Sequence, residues 1–160
     1  METKQNILHS ELKNLYALEK QSEEVMTTVL KGVKNKKVQK FLKKWQKADR
    51  QDYKAVKRLL EKNKINPGST VDSVASEILK NIQEIASQTD TTKEAKAIGL
   101  YASLNRLVHY KIACYEASHK MAKAMGDSKL EKTLKKSSKN LNKVAKRLDK
   151  YAKKYFLPAQ

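Results

Sequence analysis

The chain has 160 residues and a mass of 18.3 kDa, which suits one domain with a core of its own. Four glycines and two prolines are too few for the turns of a sheet protein, and no stretch reaches the roughly 18 apolar residues of a membrane helix. Lysine and arginine outnumber acids 35 to 17, for a net charge of +18. The single cysteine, Cys114, excludes an intrachain disulfide framework.

Thr3 or Ser10 opens a first predicted helix that runs to about Val33. Its apolar positions, Leu8, Leu12, Leu15, Tyr16, Met26, Leu30 and Val33, recur on one helical face. Glu19 and Glu23 interrupt that stripe. A second helix over 37–63 turns Val38, Phe41, Leu42, Trp45, Ala48, Tyr53, Val56, Leu59 and Leu60 inward, with Asp52 between Ala48 and Val56. The breaker cluster Asn63-Lys64-Ile65-Asn66-Pro67-Gly68-Ser69 divides the chain into two helical halves.

Ser69 or Thr70 is the expected cap of a third helix carrying Val71, Val74, Ile78, Ile82 and Ile85. Thr91 or Thr92 opens a fourth, with Ile98, Tyr101, Leu104, Val108, Ile112, Tyr115 and Ala122 on its apolar face and a stop at Gly126. Asp127 or Ser128 opens the fifth. Its seam of Leu130, Leu134, Ser137, Leu141, Val144, Leu148 and Tyr151 alternates by four and three, the spacing of packed bundles. The expected fold is therefore all-α, an antiparallel four-helix bundle with a fifth helix, forming one domain over residues 1–160.

Polar residues inside apolar stripes are the informative ones. A carboxylate facing a bundle core must be paired, hydrogen-bonded or metal-bound, and Glu19, Glu23 and Asp52 all face that requirement. Di-iron bundles begin with such inward carboxylates, but they also use a Glu-x-x-His pair on each of two helices, and the chain has a single such spacing, Glu116-Ala117-Ser118-His119. His109 and His119 fall on different helix faces, and His9 lies near the first helix's start. Cys114 lies mid-helix, away from any helix N-terminus that would activate its thiol, and glycine-rich phosphate loops are absent.

Three segments carry a family resemblance. Leu15-Tyr16-Ala17-Leu18-Glu19-Lys20-Gln21 is similar to an "LYDAEKQ" signature. His109-Tyr110-Lys111-Ile112-Ala113-Cys114-Tyr115 is similar to "HYEIAAY". Tyr53, Val56, Leu59, Leu60 and Pro67 match the end of a second helix. Taken in chain order they resemble the YciF/YciE-like family, ferritin-like bacterial stress proteins. The resemblance implies a di-metal site built from a first-helix Glu, a second-helix His-x-x-Glu, a third-helix Glu, the fourth-helix "EHYE" glutamates and a fifth-helix acidic pair. Of these only Glu19 survives. Trp45 and Ala48 stand at the second-helix ligand positions, Lys80 or Asn81 at the third, Val108 and Lys111 at the fourth, and Lys136 and Ser137 at the fifth. The site region, comprising Glu19, Glu23, Trp45, Ala48, Asp52, Val108, Lys111 and Ser137, reads as vestigial and metal-free, with Lys111 as the cation for Glu19. A rearranged site of Glu19, Glu23 and Asp52 is the alternative.

The charge is concentrated. Residues 34–64 and 127–154 together hold 24 basic and six acidic residues, which is the whole net excess, while the remainder holds 11 of each. On the fifth helix Lys129, Lys132, Lys136, Lys139, Lys143, Lys146, Lys150 and Lys153 form a stripe about 36 Å long at about 1.5 Å per residue. That is close to one turn of duplex DNA. Lys43, Lys47 and Lys54 extend the basic character onto the second helix. With only four arginines, base-specific readout is not expected.

The sequence thus reads as a cytoplasmic, non-catalytic bundle without cofactor that binds polyanions, nucleic acid foremost, by phosphate neutralisation. Anionic membrane surfaces are a further possible polyanion. The competing readings are a structural, stress-associated homodimer whose lysines serve solubility, and an iron-type metal protein with a rearranged site.

Overall fold

Each helix begins where a short polar side chain satisfies its first free amides. In the computed structural model, which describes residues 2–157, Thr3 accepts from the amide of Asn6, Asn35 from Lys37 and Val38, and Thr92 from Ala95. Asp127 accepts from the amide of Leu130. The helices are α1 (Lys4–Gly32), α2 (Lys36–Lys62), α3 (Ser73–Ser87), α4 (Lys93–Ala124) and α5 (Ser128–Tyr151), followed by a π-helical turn, Ala152–Phe156. Among the described residues no helix is long and apolar enough to cross a membrane.

Two hairpins make the core. Val33, Lys34 and Asn35 join α1 to α2, and Met125, Gly126 and Asp127 join α4 to α5. Gly126 has φ +74°, a left-handed conformation that glycine adopts without strain, and it lets the chain reverse within three residues. α1 packs on α2 and α4, and α5 packs on α4 and α2, so the four long helices form a closed ring of antiparallel neighbours. Leu12, Leu15, Met26, Trp45, Leu104, Val108, Leu134 and Leu141 fill its interior.

α3 lies outside that ring, in the groove between α1 and α4. Its N-cap is Asp72, whose carboxylate accepts from the amide of Ala75, and not Ser69 or Thr70. Gln21 of α1 donates to the Asp72 carbonyl and to Ser76 Oγ, while the Tyr110 hydroxyl of α4 donates to the Asp72 carboxylate at 2.7 Å. These bonds set the helix's rotation. Ala75, Leu79, Ile82 and Ala86 are its buried residues, and the expected inward positions Val71 and Val74 are exposed. Ile98, assigned from sequence to the apolar face of α4, is also exposed. Small residues allow close approach here: a Cβ on Gly99 would meet Ile85 Cγ2 at 3.2 Å.

Candidate functional site

The centre of the four-helix core is polar. On α1 the inward stripe runs Leu15, Glu19, Ser22, Met26; on α2 it runs Trp45, Asp49, Asp52, Val56; on α4 it includes Val108, Lys111, Ile112 and Tyr115. Spacings of three and four put each set on one face, so helix periodicity alone delivers Glu19, Asp49, Asp52 and Lys111 to a shared interior. Glu19 and Lys111 have no solvent exposure, Asp49 2% and Asp52 4%.

Lys111 Nζ donates to Glu19 Oε2 at 3.0 Å and lies 3.0 Å from Asp49 Oδ2. The Tyr115 hydroxyl donates to Glu19 Oε1 at 3.0 Å, and the Trp45 indole N–H donates to Asp49 Oδ1 at 3.1 Å. Ser137 of α5 hydrogen-bonds Asp52. All four core helices therefore contribute. Val108 is buried in the same core.

Three carboxylates facing one ammonium leave excess negative charge in a dry interior. Burial raises the pKa of Glu19 and of Asp49, with Lys111 pulling both back down, and burial pushes Asp52 up to about 6 against its bond from Ser137. Burial works against the Lys111 ammonium too, but the charges of Asp49 and Glu19 outweigh it and hold the lysine above its ordinary value. The Tyr115 phenol is driven well up by burial and by Glu19, so it acts as a donor only.

Two sequence-level assignments change. Glu23 does not join the cluster as a ligand with Glu19 and Asp52: it is half-buried one turn away and pairs with Arg50 Nε at 2.6 Å. Ala48 is half-buried, and its neighbour Asp49 takes the inward position. Asp49 lies in a run of basic residues, but its spacing four residues after Trp45 and three before Asp52 identifies it as inward. Lys80, Asn81 and Lys136 are exposed. Cys114 is half-buried with its thiol pushed up to about 11 by burial, which leaves it a poor nucleophile.

The basic residues lie on the outside. All 24 lysines and arginines of residues 34–64 and 127–154 are exposed, among them Lys43, Lys47, Lys54, Lys132, Lys136, Lys139, Lys143, Lys146, Lys150 and Lys153. α2 and α5 run side by side: Phe41 packs on Tyr151 at 5.1 Å, and Asp52 bonds Ser137. Near the far end of this pair of helices, Lys129 brings a like charge to Lys62 and lowers its pKa. No lysine of α5 forms an ion pair with a carboxylate among the described residues.

The sequence profile of DUF892, a domain of unknown function, matches residues 3–157. This chain belongs to the DUF892 family. Its fold is similar to that of the Escherichia coli stress protein YciF, with a TM-score of 0.88 at 18% identity over 95% of this chain and 96% of that one. It is also similar to YcfI, a candidate structural protein from Rhodopseudomonas palustris, with a TM-score of 0.84 at 16% identity over 92% and 94% of the two chains. A comparison with curated protein sequences gives no significant match. The chain is a YciF-like family member with a ferritin-like bundle.

A ferritin-like bundle raises the question of a di-metal centre, and the residues present do not fit one. Such centres take about six carboxylate and histidine ligands. Here the cluster has three carboxylates, no histidine, and an ammonium between two of its carboxylates.

Proposed function

We propose that this chain is a non-catalytic, stress-associated helical bundle that binds polyanions, nucleic acid foremost, on the joined outer face of α2 and α5. One observation carries this reading. Of the six acids in the two basic segments, Asp49 and Asp52 are turned into the core, so 24 exposed basic side chains face only four remaining acids. Concentrated charge of one sign opposes folding through self-repulsion, and a bound polyanion relieves it. Lysine on regular helices offers point charges to phosphates, so binding is sequence-independent and salt-sensitive.

A gel-shift titration of the purified protein with duplex DNA, single-stranded DNA and RNA tests the reading. Binding to at least one of them that weakens steeply with salt supports it. No binding to any of them at about 0.1 M salt, where the Debye length is about 10 Å, refutes it. The second reading, a structural stress protein whose lysines serve solubility, is favoured by the descriptions of YciF and YcfI and would then take its place. Sedimentation would decide whether that bundle works as a homodimer.

A further inference from the structure

Glu19, Asp49 and Asp52 each direct one oxygen into a common space, with the three oxygens within 4.8 Å of one another. Octahedral coordination at about 2.1 Å places ligand oxygens about 3.0 Å apart in cis and about 4.2 Å apart in trans. Closing the oxygens from within 4.8 Å to the cis spacing, a contraction of up to about 1.8 Å by side-chain rotation, would turn the triad into one face of such a site. Asp49 Oδ2 is buried and accepts no well-aligned hydrogen bond among the described residues. Its partner is the Lys111 ammonium 3.0 Å away.

We propose that Lys111 is the resident cation of this pocket: its ammonium shuts out divalent ions, and without it the triad takes one hard divalent cation. A lysine ammonium is a compact point charge, and its tether keeps it in place. Fully ionised, the triad and Lys111 carry two net negative charges; replacing the ammonium by a dication leaves one. The two cations compete, because both draw on the carboxylates of Glu19 and Asp49 in one dry pocket. All-oxygen donors without histidine or thiolate suit ions of the magnesium and manganese class.

The test uses the full chain and Mn2+ as probe. Wild type, Lys111→Ala and the gentler Lys111→Gln are refolded with and without Mn2+, then assayed by equilibrium dialysis with elemental analysis and by thermal melting. Wild type should retain no Mn2+ and melt at the same temperature in its presence. The variants should bind one Mn2+ per chain and gain roughly 5–10 °C in Tm at free ion about 100 times Kd. Adding Glu19→Gln to either variant should abolish both effects. A Lys111→Ala chain that folds only with Mn2+ also supports the proposal. It is overturned by stoichiometric Mn2+ in wild type, by a folded Lys111→Gln protein without Mn2+ response, or by failure of both variants to fold even with Mn2+.

Discussion

Lysine has two opposite uses in this molecule. Lys111 is fully buried and touches two carboxylates, whereas the lysines of α5 are exposed and none pairs with an acid among the described residues. Burial makes the first obligatory, because the carboxylates around it have no water to fall back on. Exposure makes the second adjustable: each surface lysine adds to a field that salt can screen and a polyanion can neutralise. The same side chain therefore governs stability in one region and association in the other.

The sharpest separation of the two regions comes from Lys111→Met, assayed in chelator. It leaves three carboxylates without a cation, and urea melts should show a loss of about 3–5 kcal/mol, as for breaking a buried ion pair. A loss below about 1 kcal/mol would mean that proton uptake by the carboxylates already replaces the lysine.

Asp52→Asn should act in the opposite direction. Burial raises the folded-state pKa of Asp52 from 3.8 to about 6, so between those pH values the folded chain holds a proton that the unfolded chain has released. That contribution is complete below the unfolded value and is lost as pH rises through about 6. The variant should therefore gain stability over wild type across pH 4 to 6, reaching about 3 kcal/mol at pH 7. Paired melts across that range check it.

A smaller effect is expected for Trp45→Phe. It keeps most of the ring but removes the donor to Asp49 Oδ1, and should cost about 1 kcal/mol. The smallest effects belong to the surface. Changing Lys132, Lys139, Lys146 or Lys153 to Glu should shift folding free energy by no more than about 0.5 kcal/mol each, with helicity by circular dichroism unchanged.

Much of the fold was legible in the sequence because apolar periodicity and caps are local signals. The seam of α5 and the stripe of α1 lie where their spacing puts them, and Thr92 and Asp127 cap as short polar residues before a periodic run should. α3 was misread because its rotation is set by long-range bonds from Gln21 and Tyr110 to Asp72, which no local pattern reveals. In the site, Glu19 stood out as a charge on an apolar face, and Lys111 through the resemblance, where it replaces a glutamate. Asp49 did not, because a run of lysines around it disguised an inward carboxylate as part of a solvated surface. Its spacing from Trp45 and Asp52 was the signal available.

The central functional claim is that the joined α2 and α5 face binds polyanions through its exposed lysines. Its most direct test is a fluorescence anisotropy titration of duplex DNA at about 50 and 200 mM salt, for wild type and the Lys132, Lys139, Lys146 and Lys153 fourfold glutamate variant. Wild type should lose at least about 100-fold in affinity between the two salts, as neutralising four or more phosphates requires, and the variant should bind more weakly with a flatter salt dependence. Binding that ignores salt, or a variant that binds as wild type does, would contradict the account.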